Sequence, residues 1–381
     1  MDNVIAVYNG SMEKGCWIRL KRLAHFLASR GCKVHLVVPL SFDVGTHKNL
    51  KKVSIREGQD DSLGINKTIL AIKSALMARR LEKELGGPVI SFDTRNGLSF
   101  LFPRTGALRH LFIRGETKYQ AKYNEPYLYG LFIRITDGLV KLRADSVVYN
   151  NLFSMRRDSS LLARSMPFIT RISNDSNALA QCRFKRNNQD FTMGYCGQLS
   201  QRKNVEFLVQ AFLLVREQFP ATLIIKGNWE EHGWTKKYLD KNSYPDIAFS
   251  SWDGNVDDFY REIDLFVLPS LFDDFSNAAV DAITQGIPVL LSNTGGSPEM
   301  VENNGKLLFD LNDGQASLAE RIEYAMINYQ EMCREVGGLA AKYTFSWEEE
   351  VFAYLRFVHN AKESGLTGDK CKKGNDQPLI R

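Results

Sequence analysis

Leu268-Pro269-Ser270-Leu271-Phe272-Asp273-Asp274-Phe275-Ser276-Asn277-Ala278-Ala279-Val280-Asp281-Ala282-Ile283-Thr284-Gln285-Gly286-Ile287-Pro288-Val289 is the stretch on which the reading of this chain turns. The apolar run Leu265–Leu268 reads as a buried strand that ends at Pro269, and a polar loop follows. Ser276 or Asn277 can cap a helix there. Gly286 ends it, and a second apolar strand starts at Pro288. The first N–H groups of such a helix face the strand ends, where dipole and hydrogen bonds favour a diphosphate. Asp273 falls in the loop and Asp281 about one turn into the helix. Two carboxylates bracketing a helix N-terminus can reach hydroxyls of a sugar nucleotide, one on the sugar and one on the ribose. The same acids also suit a plain role as loop decoration and dipole partners.

Working outward, the same alternation fills the chain. Before residue 173, strands are predicted at Val4–Asn9, Lys33–Pro39, Pro88–Phe92, His110–Arg114, Ser146–Tyr149 and Phe168–Ile172. Helices are predicted at Trp17–Ser29, stopped by Gly31, and at Ile69–Leu85, stopped by Gly86-Gly87. The polar, aperiodic stretch from Ser173 to Asp190 reads as a linker. A second series follows at Thr192–Cys196, Ala221–Lys226, Ile247–Ser250, Leu265–Leu268, Pro288–Leu291 and Lys306–Phe309. Repeated β-α-β units predict an α/β protein of two doubly wound, Rossmann-like domains facing each other across a cleft, with ligand at the strand C-termini. The expected boundaries are a first domain over 1–175, a linker over 176–190, a second domain over 191–345, a C-terminal helix over 346–364 and a flexible tail over 365–381.

The bulk numbers exclude several classes. A chain of 381 residues with 44% hydrophobic and 24% charged residues suits two globular domains rather than disorder. No apolar run approaches the ~20 residues of a membrane span, and the N-terminus reads as a strand rather than a signal peptide. Six cysteines (16, 32, 182, 196, 333 and 371) lack any paired CxxC spacing, and the histidines show no metal spacing. A reducing, cytoplasmic location without a metal site is expected. Residues 1–190 carry 31 Lys+Arg against 16 Asp+Glu, whereas 191–381 carry 18 against 28. The basic half is expected to meet something anionic, unless it is only a solvated face.

The quoted segment resembles the signature of the retaining glycosyltransferases of family 4, which have the GT-B fold. In that family a Pro-Ser pair precedes a glutamate, an aromatic-Gly turn, a second glutamate eight positions on, and a Gly-x-Pro-Val strand. Pro269, Ser270, Phe275, Ala282, Gly286, Pro288 and Val289 match, while Asp273 and Asp281 stand for the glutamates and Ser276 for the glycine. Gly194-Tyr195-Cys196-Gly197-Gln198-Leu199-Ser200-Gln201-Arg202-Lys203-Asn204 resembles the opening of the family's donor domain. There Gln198 replaces an arginine, Asn204 replaces a glycine and Lys203 is kept. Asn293-Thr294-Gly295-Gly296-Ser297-Pro298-Glu299 resembles its Gly-Gly-x-Pro-Glu turn. Phe345-Ser346-Trp347-Glu348 resembles its ending, a helix packed back on the first domain, with Ser346 as N-cap and Glu349 three residues on.

The resemblance implies a donor site of Gly10, Ser11, Gln198, Arg202, Lys203, Asp273, Phe275, Ser276, Asn277 and Asp281, with Lys203, Asp273 and Arg114 in catalytic positions. Lys203 would contact the diphosphate, and Arg202 can replace the arginine missing at Gln198. Arg114 ends the strand where the family often has a histidine lining the cleft, and His110 reads as a satisfied core or edge histidine. Glu299 reads as a dipole partner in a first helical turn. Gly10-Ser11 matches the family's glycine-rich loop, although a simple turn reads equally well. No cofactor is implied beyond the nucleotide-diphosphate sugar as co-substrate, and no metal. The implied reaction is transfer to a glycan or lipid-linked acceptor with front-face attack and retention, in cell-surface polysaccharide or lipopolysaccharide synthesis.

Basic residues Arg19, Lys21, Arg22, Lys48, Lys51, Lys52, Arg79, Arg80 and Lys83 recur between apolar stretches. So do Arg134, Lys141 and Arg143, beside Tyr127, Leu128, Tyr129, Leu131 and Phe132. Such a face suits an anionic membrane surface on its inner side, or merely a helix covering a sheet. Two rival readings stay open: a catalytically silent nucleotide-sugar-binding protein, and a nucleotide-sugar 2-epimerase on the same fold. A nucleic-acid binder has charge alone in its favour, and no nucleic acid is expected as partner. A nicotinamide dehydrogenase lacks Gly-x-Gly-x-x-Gly after the first strand.

Overall fold

The computed structural model describes residues 2–10, 15–56, 65–113, 127–162, 165–171, 173, 191–227, 244–251 and 257–364. The chain divides into two compact units, residues 1–171 with 346–381, and residues 172–345. The stretch 176–190, the tail 365–381, Ser11 and Arg114 lie outside the described residues.

The first unit holds seven strands: β1 (Asn3–Val7), β2 (Lys33–Pro39), β3 (Leu50–Ile55), β4 (Val89–Phe92), β5 (Arg109–Ile113), β6 (Ser146–Tyr149) and β7 (Met166–Ile169). They form one sheet in the order β3-β2-β1-β4-β5-β6-β7, parallel throughout. Helices α1 (Gly15–Ser29), α2 (Ile65–Leu85), α3 (Tyr127–Arg143) and α4 (Leu152–Arg157) connect them. Both faces of a parallel sheet must be covered, which is why β1, β4, β5 and β6 are buried almost end to end and mostly apolar.

Strand β3 departs from the sequence reading, which had no strand there. It is an edge strand with Lys51, Lys52 and Ser54 on it, so of its residues only Ile55 is buried and its apolar signal is weak. At the opposite edge β7 starts before Pro167, earlier than expected, because an edge strand tolerates a residue without an N–H. The C-terminal helix Trp347–Glu363 belongs to this unit. Ser346 caps it by accepting a hydrogen bond from the Glu349 N–H at 3.4 Å. Trp347 stands edge-on to Phe92 and Phe112, and Glu348 accepts from Arg22 at 3.2 Å.

The second unit holds six strands: β8 (Phe191–Cys196), β9 (Ala221–Lys226), β10 (Ile247–Ser250), β11 (Leu265–Leu268), β12 (Val289–Ser292) and β13 (Leu308–Phe309). Their order is β10-β9-β8-β11-β12-β13, again parallel throughout. The helices are α5 (Val205–Arg216), α6 (Asp257–Glu262), α7 (Asn277–Thr284), α8 (Ser297–Met300), α9 (Gly314–Ile327) and α10 (Tyr329–Ala340). Two doubly wound parallel sheets are the architecture that the alternating pattern predicts. No described helix is long and apolar enough to cross a membrane.

A buried ion cluster ties the first unit together. Arg109, at the start of β5, is fully buried and lies 3.3 Å from Glu82 of α2, which also accepts from Arg79 at 3.0 Å. The Arg109 guanidinium further donates to the carbonyls of Phe100, Phe102 and Pro103 at 2.6, 3.2 and 3.3 Å. Arg109→Ala therefore leaves a buried carboxylate short of a partner and three carbonyls unpaired. Stability should fall by about 3–5 kcal/mol, read as a lower midpoint in urea unfolding.

Candidate functional site

In an open parallel sheet, ligands bind beyond the strand C-termini where the strand order reverses. In the second unit that reversal lies between β8 and β11. The loop after β8 carries Gln198, Arg202 and Lys203, and the loop after β11 carries Asp273 through Ser276. Topology thus brings together two segments some seventy residues apart.

Contacts lock them. The Lys203 ammonium donates to Asp273 Oδ2, and Arg202 Nη1 stands 3.7 Å from Asp273 Oδ1. Arg202 also donates to the Phe272 carbonyl at 2.7 Å, while the Leu271 N–H donates back to the Arg202 carbonyl at 2.8 Å. All three charged side chains are largely buried. Burial alone would raise the Asp273 carboxyl, yet the Lys203 and Arg202 charges outweigh it and hold the group below the usual carboxylate range. Burial lowers the Lys203 ammonium from its ordinary value, helped by Arg202 and opposed by Asp273.

The other flank of the Asp273 loop rests on the turn after β12. Gly296 N–H donates to the Asp273 carbonyl at 2.8 Å, and the Ser292 and Thr294 hydroxyls donate to the Ser270 carbonyl at 2.6 and 3.0 Å. Gly295 has φ +59°, and a Cβ there would stand 2.2 Å from the Asp273 carbonyl oxygen. Glycine is required at this position by both conformation and space. At the β8 side, Asn204 takes the left-handed conformation (φ 52°, ψ 40°). Asparagine is among the few side-chain-bearing residues that adopt it readily, so the departure from glycine there costs little.

Ser276 is the N-cap of α7, accepting from the Ala279 N–H at 3.3 Å. The N–H groups of Asn277 and Ala278 complete the open end of the helix. Phe275 packs inward against Tyr343, with ring centroids 6.0 Å apart, and belongs to the hydrophobic core. Asp281 sits one turn into α7 and is half-buried. Gln198 contributes its carbonyl to the Tyr195 hydroxyl at 2.9 Å. Three buried hydroxyls in these loops, Ser200, Ser270 and Ser297, have no role in the sequence reading; each has an Oγ with no hydrogen-bond partner. Serines in polar loops carry no periodic signal, and only the fold shows them buried.

The first unit has its own reversal, between β1 and β4. Gly10 lies after β1, folded over Tyr8, whose hydroxyl a Cβ at Gly10 would approach to 2.5 Å. Across from it, Asp93 follows β4 with φ 65° and ψ 156°, a conformation that non-glycine residues avoid. The Asn9 N–H donates to Asn96 Oδ1 at 2.9 Å, and Cys16 Sγ lies 3.7 Å from Asp93. Arg95 is buried in the same turn. The sequence reading missed Asp93, Arg95 and Asn96. The visible signal was a run of four polar residues, Asp93-Thr94-Arg95-Asn96, directly after an apolar strand. His110, within β5, is a core histidine as read: its Nδ1 pairs with Ser146 Oγ at 2.7 Å, and burial pushes its pKa down to about 4. Among the described residues, no group of three His, Cys, Asp or Glu side chains is placed to hold a metal ion.

Comparisons with known proteins agree with this geometry. Residues 190–328 match the family model described as Glycosyl transferases group 1. The capsular polysaccharide biosynthesis glycosyltransferase CapM of Staphylococcus aureus is 26% identical over 203 residues, 49% of this chain and 52% of that protein. The O-antigen chain mannosyltransferase B of Escherichia coli is 28% identical over 170 residues, 40% and 42% of the two chains. The chain thus spans about half the length of the curated relatives it matches. Among solved structures, sucrose-phosphate synthase from Thermosynechococcus elongatus superposes with a TM-score of 0.76 at 15% identity, covering 96% of this chain and all of that one. Anabaena Alr3699/HepE in complex with UDP and glucose gives 0.70 at 15% identity, covering 93% and 99%. At such identities these likenesses establish the fold, which is GT-B-like. The stretch that matches includes Lys203 and Asp273, and residues 190–328 belong to the glycosyl transferases group 1 family.

Proposed function

We propose that the protein transfers a sugar from a nucleotide diphosphate to a glycan or lipid-linked acceptor, with retention at the anomeric carbon. The observation that carries this reading is the Arg202–Lys203–Asp273 cluster beside the N-terminus of α7, at the β8/β11 switch point. In this reading residues 191–345 bind the donor and residues 1–175 the acceptor. Relatives named for capsular polysaccharide and O-antigen biosynthesis support a place in cell-surface glycan synthesis.

The chemistry follows from where charge appears. As the bond between the anomeric carbon and the diphosphate breaks, negative charge grows on the leaving phosphate. Lys203 and the N–H groups of Asn277 and Ala278 stabilise it, each such contact being worth about 2.7–4 kcal/mol in the transition state. Arg202, engaged with the Phe272 carbonyl, holds the loop and adds to the positive potential. Asp273 keeps Lys203 in place and orients the sugar. Asp281 serves the ribose. Gly10 and Ser11 approach the donor phosphates, and Arg114 contacts a donor phosphate or an anionic acceptor.

Thermal unfolding with UDP, GDP, ADP and CMP, with and without EDTA, tests the donor site. One nucleoside diphosphate at 100 times its dissociation constant should stabilise the wild type by about 2.7 kcal/mol. Lys203→Ala and Asp281→Ala should abolish that shift while melting cooperatively on their own. No shift with any nucleotide would overturn the donor-site reading, whereas a shift without transfer to any acceptor would favour the silent binder. Nucleotide-dependent release of free sugar without acceptor would favour the epimerase.

Nucleotide affinity should also depend on pH in one direction. The lowered Lys203 ammonium loses its charge before an ordinary lysine does, whereas Asp273 stays ionised throughout. Affinity measured by calorimetry should therefore fall on the alkaline side, starting below about pH 10.4, the ordinary lysine value. In Lys203→Arg the decline should move beyond the accessible range. Gly295→Ala should displace the Asp273 loop and weaken nucleotide binding at least about tenfold, the equivalent of about 1.4 kcal/mol.

A further inference from the structure

Two exposed apolar stripes run along the first unit. On α2 they are Ile69, Ile72 and Leu76, at spacings of three and four residues. On α3 they are Leu131, Ile135, Leu139 and Leu142, which the helical repeat sets in one line. Ile135 is 60% exposed and Leu76 53%. These two helices supply seven of the fourteen exposed large apolar residues among the described ones, so the stripes are a concentration rather than ordinary scatter. Both helices bury their opposite sides in one core, through Ala71, Ala75 and Ala78 of α2 and Val140 of α3. They also touch each other, so their exposed sides face the same way.

Six of the seven exposed charged side chains described on the two helices are cations. Lys67, Lys73, Arg80 and Lys83 of α2 and Arg134 and Arg143 of α3 are exposed. The single exposed acid among the described side chains of the two helices, Glu84, pairs with Arg80 at 2.6 Å. Glu82 and Asp137 are buried and engaged inward. The structure also corrects the face drawn from sequence. Lys141 is buried between Asp137 and Asp158 at 2.8 and 2.7 Å, Arg19 is buried, and Arg79 is turned to Glu82. Ile135, Leu139 and Leu142 take the outward positions instead.

We propose that α2 and α3 form a docking surface for an anionic lipid bilayer, with the apolar stripes seated at the headgroup boundary and the six cations on lipid phosphates. Apolar burial together with cations at the rim is the combination that interfacial binding needs. A second copy of this chain fits the face poorly, because a two-fold contact would set six cations against six. The inference is independent of the donor-site reading.

Sedimentation of the full chain with vesicles tests it, using phosphatidylglycerol mixed with phosphatidylcholine, and phosphatidylcholine alone. The wild type should bind the mixed vesicles, lose binding as salt rises, and bind phosphatidylcholine alone at least about tenfold more weakly. The double variant Ile135→Glu/Leu139→Glu should bind mixed vesicles at least about tenfold more weakly than wild type. Its circular dichroism and nucleotide response should be unchanged, since both side chains already face solvent. Ile327→Glu, an exposed apolar position in the second unit, should bind as wild type. Equal binding by the double variant and the wild type would overturn the proposal, as would indifference to lipid charge. No vesicle binding by a wild type that light scattering shows as a dimer, and that the double variant turns monomeric, would assign the face to a second copy.

Discussion

A carboxylate taken out of water stays charged only if cations stand beside it, and the second unit is arranged around that requirement at Asp273. Lys203 and Arg202 supply the charge, but they come from the loop after β8, whereas Asp273 follows β11. The pairing is therefore also a tie across the switch point. Without it the β11 loop would leave a buried charge unpaired, at a cost of several kcal/mol. The backbone reinforces the tie from both flanks. Leu271 and Phe272 exchange hydrogen bonds with Arg202, and the Asp273 carbonyl rests on Gly296 with Gly295 pressed beneath it. Three loops from three strands hold one another, and the open end of α7 is placed by that contact.

Much of this was legible in the sequence because the features are local. Five strands, Lys33–Pro39, Ser146–Tyr149, Ala221–Lys226, Ile247–Ser250 and Leu265–Leu268, begin and end where the sequence pattern puts them. Ser276 and Ser346 cap the helices that their spacing predicts. Features set by tertiary context were hidden. Strand β3 pairs only because β2 offers an edge, so its lysines masked it. Lys141 looks like a surface cation until Asp137 and Asp158 converge on it. The Lys203–Asp273 contact spans seventy residues, so the sequence could present both groups but not their pairing.

The departures from the family pattern divide by physics. Asn204 for glycine preserves a left-handed residue, since the asparagine side chain tolerates it. Ser276 for glycine adds an N-cap hydroxyl that glycine lacks, so the substitution favours α7. Asp273 for glutamate shortens the reach by one methylene, and here the carboxylate meets Lys203 directly. A shorter acid so engaged is a tighter anchor for the lysine and a less extended one for a sugar. Gln198 removes a cation from the strand end. The loop retains two cations, of which Arg202 is committed to backbone and loop, which leaves Lys203 as the principal charge for a diphosphate.

The charge asymmetry of the chain acquires a location on the same grounds. The excess of Lys and Arg in residues 1–190 is not spread evenly over the first unit. Lys21, Arg22 and Arg30 are paired with Asp43, Glu348 and Glu349, Arg104 with Asp145, and Arg109 with Glu82. Those pairs bind α1 to the C-terminal helix and β5 to its surroundings, and they contribute little to an outward field. On α2 and α3 the acids are turned inward instead, Glu82 to Arg79 and Arg109 and Asp137 to Lys141. With the other acids of these helices turned to buried partners, Glu84 is the one exposed acid described beside their six exposed cations. The same inward pairing that stabilises the layer thus gives its outer face a net positive charge around an apolar centre. Such a face is costly to leave in water and suited to a negatively charged, apolar-backed surface.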